Sequence, residues 1–337
     1  MHTRRPARAI WSAAICLTLV LGAGTPAPAY ELAFVSHRDG HANIYVVNDD
    51  GTKLRRLIAS EGEDTSPLWA PNGEQLLFIS DRDGDQDVYV SDARGERVRD
   101  ISGTDAWESD ASWSPDGSQV IYVSDRDGDL EVYVASADGS SPRTIAADEI
   151  WDGFPTWSPA GNLIAWVTDR GENQDIAIAA PDGSAMQVVA THTAWDGDPA
   201  FSPDGKQLAF RTHRDGNISV YVYTIEGGAL RSMSGPDCWN EPATWSPDGT
   251  RLAWASSPAG NREVVVCDVA SGEVTNITNA LSNEWSPRWS PDGKKIAFLS
   301  DRSGGTRLYV MNADGTGVVE VGGGQVSDQP CAWRPVR

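Results

Sequence analysis

A large aromatic returns every 44 residues along this chain, at Trp69, Trp113, Trp157, Phe201, Trp245, Trp289 and Trp333. One step kept over seven occurrences restricts the fold to an array of a single supersecondary unit, because each unit must find its neighbour in the same way. Two other columns keep the step: Phe34, Phe78, Tyr122, Trp166, Phe210, Trp254 and Phe298, and Gly51, Gly95, Gly139, Gly183, Gly227, Ser271 and Gly315. The 308 residues from Tyr30 to Arg337 hold seven such steps.

Within a unit the pattern is that of short strands and tight turns. In the unit opening at Ser286, the sequence predicts strands over 287–290, 295–300, 307–312 and 318–321, separated by Pro291-Asp292-Gly293, by 301–305 and by Ala313-Asp314-Gly315. Turn chemistry at these points and apolar-aromatic alternation between them favour antiparallel hairpins. No segment keeps helical periodicity over ten residues. Units of this length with four strands cannot bury both faces alone, so the predicted fold is all-β, a seven-bladed propeller over residues 30–337. Tyr30 stands just past the first-strand turn in the repeat register, so the first unit lacks a first strand and the last consists of little else. Closure therefore requires 329–333 to pair beside 31–36, removing the open edge.

Residues 1–29 stand outside the repeat and read as a secretory signal peptide. Arg4, Arg5 and Arg8 precede a mostly apolar stretch from Ala9 to Ala23, and Ala27-Pro28-Ala29 fits a cleavage site. This implies a periplasmic or secreted protein with no transmembrane segment. Acidic residues outnumber basic ones 48 to 27, giving a net charge of −21, and no basic run offsets it, which argues against nucleic acid as a partner. Cys238, Cys267 and Cys331 form neither a disulfide framework nor a zinc spacing.

The runs Trp-Ser-Pro-Asp-Gly at 113–117, 245–249 and 289–293, with Ile296-Ala297-Phe298, Ser300-Asp301-Arg302 and 308–315, resemble the repeat of TolB-type propellers. The resemblance implies the fold over the whole repeat region. It leaves function open, since similar repeats occur in the periplasmic Tol-Pal component, in propeller domains attached to serine peptidases, and in some lyases. This sequence departs from the first by showing no α/β domain ahead of its propeller, and from the second by lacking a GxSxG elbow.

Two columns predict ion pairs within blades. The leading column is Asp64, Glu108, Asp152, Asp196, Asn240, Glu284 and Asp328; eighteen residues on in the circular register stand Arg82, Arg126, Arg170, Arg214, Pro258, Arg302 and Arg38. The unit without arginine is the one without a carboxylate, and hairpin pairing sets Asp64 opposite Arg82. A second acidic pattern, Asp81, Asp83, Asp85 and Asp87, repeats as Asp125, Asp127, Asp129 and Glu131 and would suit calcium; the competing reading is a solvated turn. No other cofactor is expected. His37, His41, His192 and His213 are too scattered for a metal-dependent lyase site.

The break in the repeat is the functional signal. Trp107, Trp151, Trp195 and Trp239 fill a column in four consecutive units where the others carry Glu63, Asn283 and Ser327. Strand parity puts this column on the same face as the loops between second and third strands. Aromatics beside carboxylates such as Asp152 and Asp196 suit a protein or peptide, a cationic group or a glycan; otherwise each indole covers a seam between blades. The sequence thus predicts a binding module rather than an enzyme, with a polysaccharide lyase, a hydrolase or a non-catalytic carbohydrate-binding propeller as alternatives.

Overall fold

The computed structural model describes residues 29–335 apart from 147–148, 172, 236–237, 259 and 327–330. Residues 1–28 of the expected leader, Ser327, and the Asp328 end of the pair expected with Arg38 lie outside the described residues. Among the described residues every helix or strand is a strand, and these form seven four-stranded antiparallel sheets. Blade 1 comprises Asp64–Trp69, Gln75–Ser80, Asp87–Asp92 and Arg99–Asp100. Blades 2 to 6 repeat it, and blade 7 joins Ala332–Trp333 to Glu31–Ser36, Asn43–Asn48 and Arg55–Ile58. Leu32 faces Trp333 and Ala33 faces Ala332, so one blade is built from both ends of the repeat region as expected.

The second and third strands are nearly continuous apolar runs because neighbouring blades cover both their faces. The core is accordingly distributed over seven seams. Leu77, Ile79, Val88 and Val90 of blade 1 pack on Trp113, Tyr122 and Tyr133 of blade 2, and the seam between blades 7 and 1 closes in the same way around Ile44, Val46, Trp69 and Phe78. Four indoles of the 44-residue aromatic column, Trp113, Trp245, Trp289 and Trp333, latch their seams. The indole N–H of Trp113 donates to Leu68 O at 3.2 Å, that of Trp245 to Ala200 O at 3.0 Å, and that of Trp333 to Arg288 O at 2.9 Å.

The first strands depart from the expected regular hairpin. They begin earlier, Glu284–Trp289 against 287–290, and in five blades the register shifts within them, as between Thr65 and Leu68. At each shift a non-glycine residue takes a left-handed conformation: Ser66, Asp110, Phe154, Asp198 and Ser286, with φ between 50° and 54°. Blade 5 has Pro242 at this position. Its ring holds φ near −65°, so that conformation is closed to it, and the strand shrinks to Thr244–Trp245.

Candidate functional site at the tryptophan-bearing face

The ion-pair columns assemble within single blades. Arg82 meets Asp64 at 2.5 Å, Arg126 Glu108 at 3.3 Å, Arg170 Asp152 at 3.3 Å, Arg214 Asp196 at 2.8 Å and Arg302 Glu284 at 3.2 Å. The expected register needs correction, because the bulge places Ser80, not Arg82, opposite Asp64. The arginine reaches back instead, and the Ser80 hydroxyl donates to Asp64 at 2.7 Å while accepting from Arg82 Nε at 2.9 Å. The guanidinium groups of Arg82, Arg126, Arg214 and Arg302 are also held over rings of the central strands, as Arg82 is at 4.7 Å from the Tyr89 centroid. Asp152 and Asp196 are fully buried under this arrangement, so they present no charge to a ligand on the surface.

The alternating carboxylates turn to separate partners. Asp81 accepts the Glu63 backbone N–H at 2.7 Å, Asp83 the Tyr89 hydroxyl at 2.5 Å and Asp87 the Ser102 hydroxyl at 2.9 Å. In the second loop Asp125 accepts the Trp107 backbone N–H at 2.8 Å, Asp127 accepts the Tyr133 hydroxyl, and Glu131 accepts the same hydroxyl at 3.3 Å. Asp85 and Asp129 each keep one buried oxygen without a hydrogen-bond donor. Residues 81–86 form a turn rather than a strand, so the spacing of two does not gather these carboxylates on one face. No group of three or more His, Cys, Asp or Glu among the described residues is placed to hold a metal.

The first strands line an axial channel of about 820 Å³, and the tryptophan column stands immediately before their first residues. Backbone pairing extends each first strand to its tryptophan: Asp125 N–H donates to Trp107 O at 3.2 Å and His213 N–H to Trp195 O at 3.1 Å. Trp107 and Trp239 are 40% and 38% exposed, whereas Trp151 and Trp195 are half-buried. The latter two lie on the backbone at Gly153 and Gly197; a Cβ at 153 would stand 2.7 Å from the Trp151 ring. Trp195 is fixed further by its N–H donating to Gln174 at 2.6 Å. No indole of the column is wholly buried in a seam.

Sequence reasoning missed the channel residues next to this column. Phe154, 43% exposed, meets Trp151 edge-on, with centroids 6.1 Å apart. Asp198 pairs with Arg211, while Asp110 accepts from Ser109 and from the Phe154 backbone N–H. Burial within the channel raises the Asp110 carboxyl above its usual range, and Asp198 adds to this, against those two hydrogen bonds. Burial likewise raises Glu241, which accepts the Ser286 N–H at 2.9 Å and lies 3.5 Å from Arg262; that arginine covers Trp239 at 5.0 Å. The available signal was the irregular column Ser66, Asp110, Phe154, Asp198, Pro242 and Ser286 inside an otherwise regular repeat. Unrelated residue types at one strained position indicate a surface not set by packing alone.

The described residues include no helix long and apolar enough to cross a membrane. No curated protein matches the sequence significantly. Among solved structures, a putative TolB from Agrobacterium tumefaciens is 23% identical, aligning over 67% of this chain and 84% of its own with a TM-score of 0.55. TolB from Acinetobacter baumannii is 19% identical over 91% and 83%, TM-score 0.58. An oligogalacturonate lyase from Vibrio parahaemolyticus is 14% identical over 87% and 85%, TM-score 0.64, and at such identities these likenesses show the fold alone. The TolB beta propeller domain matches the sequence itself, over 23–110, 82–196, 143–246 and 198–335, and the chain therefore belongs to the TolB beta-propeller family.

Proposed function

We propose that this protein is an exported binding module that takes a protein or peptide segment on the tryptophan-bearing face, off the axis and over blades 2 to 5. The observation that carries this reading is the exposure of Trp107, Trp239 and Phe154 in a molecule that buries the aromatics of its two regular repeat columns. Large aromatics held rigidly at a surface lose little entropy on binding and supply much apolar contact area. Asp110 and the net charge of −21 give the ligand a preference for cationic groups next to its apolar ones. The reading places the protein in the periplasm or outside the cell, on the strength of its N-terminal sequence.

A photocrosslinking amino acid at position 107 or 239, introduced in the producing cells, tests the proposal. Protein adducts from these positions, absent from Thr250 on the opposite face, support it. Equal labelling from all three, or adducts to glycan alone, would contradict it.

A further inference from the structure

The repeat brings acidic side chains together across seams in a way the ion-pair columns do not explain. The N–H of each first-strand carboxylate residue donates to a carbonyl of the preceding blade: Glu108 to Gln86 at 2.8 Å, Asp196 to Gln174 at 2.9 Å and Glu284 to Arg262 at 2.9 Å. The residue after each acceptor is itself a buried acid, Asp87, Asp175 or Glu263. Two buried carboxyl groups thus meet at each of these seams, while one arginine serves the first-strand member.

The seam between blades 1 and 2 shows the consequence most fully. Glu108 receives Ser124 Oγ at 2.6 Å, Thr104 Oγ1 at 2.9 Å and Arg126 Nη2 at 3.3 Å, all on Oε1. Its Oε2 is buried and has no donor, although the Asp87 carboxyl lies within hydrogen-bonding reach of Glu108. Glu284 repeats the pattern: Ser282, Ser300 and Arg302 converge on Oε1, Oε2 has no donor, and Glu263 is the neighbouring acid. A buried acceptor without a donor is costly, and two adjacent buried carboxylates are costlier still. One proton between them removes both costs.

We propose that Asp87 and Glu108 share a proton across the seam, the Asp87 carboxyl O–H donating to Glu108 Oε2. The seam then acts as a proton-dependent clasp, tight in acid and loosened as the pH rises through neutrality, whatever the face binds. The groups around Asp87 agree. Burial first, then Asp100, Glu108 and Asp85, push its carboxyl up to about 7 against the Ser102 hydrogen bond, and the cation facing Glu108 is Arg126. Burial likewise raises Glu284, with Glu263 adding to it and Ser282, Ser300 and Arg302 opposing. An acid raised in the folded state stabilises that state while protonated, so the contribution is lost between the ordinary carboxylate range and about pH 7. The seam between blades 4 and 5 is the built-in control, because Ser219 and Asn240 stand where the seam between blades 1 and 2 has Asp87 and Glu108.

Hydrogen exchange of the full chain at pH 5 and pH 8, corrected for intrinsic rates, reads the seams separately. Protection of the Glu108 amide should fall at least about tenfold between these conditions, one pKa unit's worth of linkage, while the segment around Asn240 stays constant. Asp87→Asn, whose side-chain amide can donate to Glu108 at any pH, should remove that dependence; Glu108→Gln serves if the first variant does not fold. Equal pH dependence at both seams, or an undiminished dependence in a folded variant, would overturn the proposal. Should neither variant fold, the wild-type contrast between the two seams decides.

Discussion

Arg211 stacks 5.4 Å from the Trp195 ring and binds Asp198 at 2.5 Å, so one guanidinium ties the tryptophan rim to the strained wall of the axial channel. Arg211→Ala should free one face of Trp195 and leave Asp198 without its cation. We expect stronger acrylamide quenching of tryptophan emission at a stability cost of about 1.5–3 kcal/mol, the range for a hydrogen bond to a charged group. Unchanged quenching would show that the stack does not hold the indole.

The ion pairs inside the blades should matter more. Arg82→Ala strands the Asp64 carboxylate, which is fully buried, and should cost about 3–5 kcal/mol in urea denaturation. Adding Asp64→Asn should recover part of the loss, since no charge then remains buried. Blade 5 already shows a neutral solution, in which the Trp254 indole donates to Asn240 Oδ1 at 2.8 Å.

These pairs were legible because a fixed repeat converts residue columns into neighbours, and Asn240 and Pro258 depart from their columns together. Ring closure was legible for the same reason. The bulge was not, since Ser66, Asp110, Phe154 and Asp198 share no composition that announces a left-handed residue. Arg211 and Glu241 escaped because each departs from the residue type its repeat column carries, and periodicity describes only what blades have in common. The tryptophan column was visible as a break in pattern, but its support by Gly153 and Gly197 required the fold.

That support gives a conservative test. Gly153→Ala and Gly197→Ala add one methyl group each, yet the new Cβ would overlap the Trp151 or Trp195 ring. Neither glycine has a left-handed φ, so the backbone tolerates alanine and the indole must move. Near-ultraviolet circular dichroism should change while the thermal midpoint shifts little; a large loss of stability with an unchanged spectrum would contradict this placement.

Stability should pass through a maximum in mildly acidic solution. In the turns after the first strands, Asp116 is lowered to about 2 by the Ser114 and Ser118 hydrogen bonds, and Asp248 to about 2 chiefly by Ser246 and Thr250. A lowered acid stabilises the fold above its unfolded value near 3.9, and that contribution is lost as the pH falls through about 2. Asp87 supplies the opposite slope up to about 7. Thermal midpoints from pH 2 to 8 should rise and then fall, with Asp116→Asn flattening only the acid limb.

The exposed indoles should anchor a polypeptide. Panning a random peptide display library against the wild-type protein and a Trp107→Ala/Trp239→Ala double variant measures this directly. Sequences combining aromatic or apolar residues with Lys or Arg should be enriched on the wild type, and that enrichment should be lost on a variant whose thermal midpoint is essentially unchanged. Equal enrichment on both proteins, or a variant whose midpoint drops by many degrees, would show that the tryptophans serve the seams between blades and would contradict the claim.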